Sequence, residues 1–221
     1  MKFFLDTANI EEIKQGLDWG LCDGVTTNPS LVAREGREME EAVREICELV
    51  GPERPVSAEV VAVDYEGIVA EAQERASWAS NVVVKIPLIP EGVKAMKTCS
   101  DLGIPINATL IFSCGQALLA AKAGARYLSP FVGRQDDVGW DGMTVVRQIA
   151  TMLRMYDALD CEIILASARH VGHVIEGTQC GAHICTMPFD VLHQLFRHPL
   201  TDVGLEKFLS DYRKLQEKLG K

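Results

Sequence analysis

Residues 82–87 read Val-Val-Val-Lys-Ile-Pro, a β-branched apolar run holding a single lysine. A short run of this kind, without polar alternation, is the pattern of a parallel strand covered on both faces. Similar runs occur on either side of it, at Lys2–Asp6, 25–28, 56–61, 106–112, 127–132, 162–167 and 184–188. Helical segments with charged outer faces fill the gaps, at 10–17, 38–50, 65–79, 91–102, 114–123, 143–156, 170–180 and 189–196. Eight such couplets predict an α/β chain closed into a single (β/α)8 TIM barrel over residues 1–221. No GxGxxG follows the first strand, which counts against an open dinucleotide-binding sheet. A further amphipathic segment at 203–219 exceeds the barrel's need, and reads as an extra C-terminal helix that caps the barrel or reaches a neighbouring subunit.

The chain has 221 residues, and 48% of them are hydrophobic. That length fits one barrel of this kind, and it buries a sizeable core without staples. With 31 acidic and 22 basic side chains the net charge is −9, which argues against a nucleic-acid partner. A few local arginines still suffice for a small anionic substrate. The opening MKFFLDTAN meets an aspartate at position 6, so no signal-peptide apolar region is read there, and no apolar stretch is long enough to span a membrane. Seven cysteines, an odd number with no CxxC pair, suggest reduced thiols and a cytoplasmic setting. Cys180, His183 and Cys185 lie close in sequence but straddle a helix end and a strand, so no metal site is expected.

Active sites of such barrels sit at the carboxyl ends of the strands, and residues two apart in a strand share a face. Polar residues there are therefore informative. Asp6 closes the first strand, and Thr26 and Asn28 end the second. Glu59 lies within VSAEVV and Lys85 within VVVKIP. Asn107 and Thr109 repeat the two-residue spacing in INATLIF, and Ser129 and Phe131 repeat it in YLSPFV, with Arg134 just beyond. Ser167 and Arg169 end the seventh strand.

A lysine at position 85 is partly desolvated in such a strand, and desolvation exposes an amine lone pair able to attack a carbonyl. Its alternative role is pairing with a buried carboxylate, Glu59 or Asp6. Schiff-base chemistry needs an acid/base for carbinolamine dehydration, and two carboxylates on nearby strands meet that need. Asp6 by itself resembles a helix N-cap, since DTAN looks like a helix start. Arg134, Ser167 and Arg169 together read as a phosphate clamp, against surface ion pairs for each arginine alone. His170 and His173 read as surface or supporting residues, and Asp136 and Asp137 as loop and cap chemistry.

At FLDTAN (4–9), GVTTNPSL (24–31), VVVKIP (82–87), INATLIFS (106–113), SPFVGR (129–134) and LASAR (165–169) the chain resembles the transaldolase family, in particular its short, metal-independent branch that also contains fructose-6-phosphate aldolase. The resemblance covers essentially the whole chain. It implies that Lys85 attacks C2 of a ketose phosphate, that Asp6 takes the C4 hydroxyl proton, and that Glu59 with a water held by Thr109 relays protons. It further implies that Thr26, Asn28, Asn107 and Ser129 contact the sugar, and that Arg134, Ser167 and Arg169 hold the phosphate. The aldolases of the branch carry glutamine and tyrosine where this chain has Glu59 and Phe131, so these two residues favour a transaldolase of the pentose phosphate pathway.

The resemblance implies no cofactor and no metal. Its implied substrates are sugar phosphates: fructose 6-phosphate or sedoheptulose 7-phosphate as donor, erythrose 4-phosphate or glyceraldehyde 3-phosphate as acceptor. It also implies self-association as a pentamer or decamer, helped by the last helix. Two alternatives stay open on the residues: an aldolase that releases free dihydroxyacetone, and a non-catalytic sugar-phosphate-binding barrel.

Overall fold

Parallel pairing runs from each strand to the next and closes from the last strand back to the first in the computed structural model, which describes residues 1–156 and 159–220. The first half comprises β1 (Lys2–Asp6), α1 (Ile10–Asp18), β2 (Gly24–Thr26), α2 (Pro29–Arg34), α3 (Met39–Val50), β3 (Val56–Glu59), α4 (Tyr65–Ala76), β4 (Val82–Pro87) and α5 (Pro90–Asp101). β5 (Ile106–Ile111), α6 (Cys114–Lys122), β6 (Tyr127–Pro130), α7 (Val132–Asp136), α8 (Gly142–Met155), β7 (Glu162–Leu165) and α9 (Val171–Cys180) follow. β8 (Ile184–Met187), α10 (Phe189–Gln194) and α11 (Pro199–Lys218) complete the order. Closure is made by Lys2 to Leu5 pairing with Ile184 to Met187. The α/β barrel expected from the alternation is therefore present.

Local chemistry sets the element ends. Asn9 caps α1 by accepting from the backbone N–H groups of Glu11 and Glu12, and Ser113 caps α6 by accepting from that of Gln116. Gly103 and Gly124 take φ of 76° and 90° just past α5 and α6, a left-handed conformation that a Cβ disfavours. Apolar residues on the strands' outer faces pack under the helices, with Ile86, Leu128 and Ile163 of the strands and Ile46, Ile68, Met96 and Ile149 of the helices fully buried.

Several boundaries differ from the expectation. β2 ends at Thr26 rather than at residue 28, because Asn28 leaves the sheet to cap α2, accepting from the Leu31 N–H at 3.0 Å. α2 and α7 are helical turns that the periodicity did not signal. α11 starts at Pro199 instead of 203, since His198 supplies its cap and the proline ring suits the first helical turn. None of the residues of α11 is buried, although Leu205, Phe208, Tyr212 and Leu215 recur on one of its faces.

Candidate active site

The barrel interior is layered by the two-residue period of its strands. Phe4, Val83, Tyr127, Ile164 and Ile184 form a separate apolar cluster drawn from five strands. Two residues further along the same segments stand Asp6, Lys85, Ser129, Ala166 and Thr186, and all five line a cavity of about 490 Å3. An inward apolar floor thus carries an inward polar layer at the carboxyl ends, where a barrel of this type opens. Gly24 helps the floor to close, because a Cβ there would lie 2.7 Å from the Phe4 ring.

Lys85 sits at the centre of this layer, 4% exposed. Its Nζ donates to Glu59 Oε2 at 2.9 Å and to the Thr27 carbonyl at 3.3 Å. The contact follows from register, since Glu59 and Lys85 are directly paired residues of β3 and β4. Arg75, itself buried on α4, donates to the Glu59 carbonyl at 3.0 Å, while Glu71 accepts the Val61 N–H at 2.7 Å. The end of β3 is therefore pinned from outside the barrel. Phe131 neighbours two cations, with Lys85 Nζ 5.9 Å and Arg134 Cζ 5.1 Å from its ring centre.

Two buried hydroxyl chains fix the other polar groups. Thr26 donates to Asp6 Oδ1 at 2.7 Å, and its oxygen is 2.6 Å from Thr186 Oγ1. With the Thr26 proton committed to Asp6, Thr186 must donate to Thr26, giving a directed chain from β8 through β2 to β1. Asp6 is therefore a strand-end carboxylate inside the cavity and not the cap of α1, a role that Asn9 takes. In the second chain Ser129 donates to Asn107 Oδ1 at 2.7 Å, and Asn107 donates to Ser57 Oγ at 3.1 Å. That pairing sets which way the Asn107 amide points.

Arg134, Ser167 and Arg169 line the same cavity, as do Asn28 and Thr26. Arg134 comes from α7 and the other two from the turn after β7, where Ser167 takes a left-handed φ of 59°. Arg169 Nη2 is held 2.8 Å from Asp137 Oδ2.

Thr109 is the one expected site residue outside the cavity lining. It is fully buried, and its Oγ1 has no hydrogen-bond partner. The following residue, Leu110, has φ of 57° at a register shift of β5 and turns into the cavity instead. Sequence reasoning missed Thr186, Ser57, Leu110 and Arg34, the last of which also lines the cavity. Threonine and serine in strands look like ordinary sheet residues, so only the inward parity of β3 and β8 could have flagged Ser57 and Thr186.

Other chemistry is less well served. Burial pushes the Cys185 thiol, beside Thr186, up to about 12, so no thiolate nucleophile forms there at neutral pH. Among the described residues one group has metal-ligand composition, Asp136, His170 and His173. His173 Nδ1 accepts the Arg169 N–H at 3.1 Å, so the neutral ring carries its proton on Nε2, which faces Asp136 Oδ2 at 2.7 Å. A nitrogen that bears a proton has no lone pair for a metal, and this group fits an internal hydrogen-bond relay better. His173 is buried and not on the surface.

Residues 3–220 match the family described as Transaldolase/Fructose-6-phosphate aldolase. The chain is 58% identical over 219 residues to a probable transaldolase of Petrotoga mobilis, covering 99% of this chain and 98% of the relative. It is 56% identical over 218 residues to a probable transaldolase of Aquifex aeolicus, covering 99% of both. A solved structure of 3-hexulose-6-phosphate synthase superposes with a TM-score of 0.64 at 12% identity, covering 85% of this chain and 90% of that one, which shows the shared fold alone.

Burying Lys85 against one carboxylate has a stability signature. Lys85→Met and Glu59→Gln should each destabilise by about 3–5 kcal/mol, because each leaves the other group without its partner. The double variant should cost clearly less than the two together. Urea unfolding of the four proteins measures this, and strictly additive losses would show that the pair is not coupled.

Proposed function

We propose, for a chain that belongs to the transaldolase/fructose-6-phosphate aldolase family, that it transfers a dihydroxyacetone unit between sugar phosphates through a Schiff base on Lys85. The observation that carries this reading is the buried Lys85 ammonium, 2.9 Å from the Glu59 carboxylate at the base of a cavity walled by arginines. Passing a proton along that contact to Glu59 leaves a neutral amine facing the cavity. The amine attacks C2 of the ketose phosphate, and Glu59 returns the proton to the C2 oxygen as water leaves and the iminium forms. The water-holding role expected of Thr109 requires the Leu110 segment to shift, since the Thr109 hydroxyl is buried outside the cavity lining.

Asp6 then takes the C4 hydroxyl proton. The C3–C4 bond breaks, its electron pair moves into the iminium, and the aldose phosphate departs. The three-carbon unit stays on Lys85 as an enamine until an acceptor aldehyde arrives and the steps run backwards. The Thr186–Thr26 chain donates to Asp6 Oδ1 and so fixes the orientation of the carboxylate in the cavity. Asn28, Asn107 and Ser129 face the sugar hydroxyls, and Arg134, Ser167 and Arg169 take the phosphate by charge-assisted hydrogen bonds.

Phe131 argues for transfer over aldol cleavage. Its ring covers Lys85 at 5.9 Å and offers no hydroxyl to deliver a proton to the enamine. A cytoplasmic setting is part of the same proposal and goes with seven free thiols. So does self-association, since a helix of 20 residues with no buried side chain gains its packing from another copy.

Two measurements follow. Fructose 6-phosphate alone should release dihydroxyacetone at under about a tenth of the rate at which glyceraldehyde 3-phosphate appears with erythrose 4-phosphate present. Equal rates would make the protein an aldolase. By sedimentation the protein should run well above its monomer mass of 24.3 kDa, and Phe208→Asp with Leu215→Asp should lower that mass. A monomeric parent protein would contradict the assembly role of α11.

A further inference from the structure

The phosphate-facing residues come from two separate segments, Arg134 from α7 and Ser167 with Arg169 from the turn between β7 and α9. Their relative position has to be set by contacts between those segments. Backbone contacts do part of this, with the Val132 N–H on the Ala166 carbonyl at 3.0 Å and the Gly133 N–H on the Ser167 carbonyl at 3.1 Å. Gly133 permits the approach, because a Cβ there would stand 2.3 Å from the Ser167 carbonyl oxygen and 2.7 Å from Arg169 Cγ. These contacts stop at Ser167, short of the backbone of Arg169.

One buried ring completes the link. The Arg169 N–H donates to His173 Nδ1 at 3.1 Å, His173 Nε2–H donates to Asp136 Oδ2 at 2.7 Å, and Asp136 Oδ1 accepts the Gly142 N–H at 3.0 Å. Asp136 is two residues from Arg134 on α7, so the imidazole joins the backbone of one arginine to the helix of the other. We infer that His173 is a positioning residue for the anion-binding arginines, acting through its bond to the Arg169 N–H and its bond to Asp136 on α7. This rests on the reading of Arg134 and Arg169 as the phosphate site.

The ring's state suits the role. Burial and the neighbouring His170, whose ring centre is 3.9 Å away, push its protonation down, against the pull of Asp136. A neutral ring is what the Nδ1 acceptor requires. Asp137 completes the arrangement by holding the Arg169 guanidinium at 2.8 Å, so both the backbone and the side chain of Arg169 are tied to the C-terminal end of α7, the backbone through His173.

The test uses inorganic sulfate as a competitive anion and dihydroxyacetone as a ketone that carries no phosphate. His173→Leu leaves the Arg169 N–H without an acceptor, and should raise both the sulfate inhibition constant and the KM for fructose 6-phosphate about tenfold, with kcat much less affected. His173→Asn places an acceptor oxygen close to the Nδ1 position and should return both constants to within about threefold of the parent. Borohydride trapping of dihydroxyacetone on Lys85 should be the same in all three proteins, because it does not use the arginines.

Sulfate inhibition unchanged in His173→Leu would overturn the inference. So would equal impairment of the Leu and Asn variants, or a parallel loss of trapping, which would mark a general structural role. Should His173→Leu not fold, Asp136→Asn at an exposed position probes the same chain. One oxygen then serves two donors, sulfate inhibition should weaken about threefold, and an unchanged constant there counts against the inference equally. A parent protein that traps no dihydroxyacetone would contradict the Schiff-base reading, while the sulfate comparison would still decide the role of His173.

Discussion

An ammonium group held inside a closed barrel of apolar strands is the constraint around which the rest is arranged. Burial of a charge is costly unless a partner and hydrogen bonds compensate it, and here Glu59 and the Thr27 carbonyl do so. That compensation depends on β3 and β4 lying in one register, which places Glu59 directly across from Lys85. Register depends in turn on closure, because a one-residue slip would turn every inward side chain outward. The outer contacts of Arg75 and Glu71 with the end of β3 belong to the same requirement.

Charge is distributed in two tiers. The acidic excess is carried on the helices, where Glu40, Glu41, Glu45 and Glu48 are exposed on α3 and the first three make salt-screened pairs of little energetic weight with Arg37 or Arg44. The strand ends instead gather Lys85, Arg34, Arg134 and Arg169 around Asp6 and Glu59. A chain of net charge −9 thus gathers basic side chains at one cavity, and the field of the whole molecule does not decide what that cavity binds.

Much of this was legible in the sequence, for a physical reason. Parallel strands buried on both faces leave no room for polar residues except at the cavity, so Lys85, Glu59 and Asn107 stood out against their apolar neighbours. What stayed hidden depends on contacts distant in sequence. α7 is five residues long and exists by docking on the turn after β7, which periodicity cannot register. Asp6 and Asn9 share the tetrapeptide DTAN, and only the fold separates the cavity carboxylate from the helix cap. Thr109 follows the two-residue spacing of Asn107, yet the left-handed Leu110 takes its place in the cavity wall. The sequence left His173 open between a surface and a supporting residue, because its partners, Asp136 and the Arg169 N–H, include one that is 37 residues away.

The central claim is that the buried amine of Lys85 becomes bonded to the carbonyl carbon of the substrate. Incubation with fructose 6-phosphate, reduction with borohydride and peptide mass spectrometry test it most directly. The account predicts a reduced three-carbon adduct on the peptide containing Lys85. An unmodified Lys85 in protein that still binds the sugar phosphate, or an adduct confined to another lysine, would contradict it.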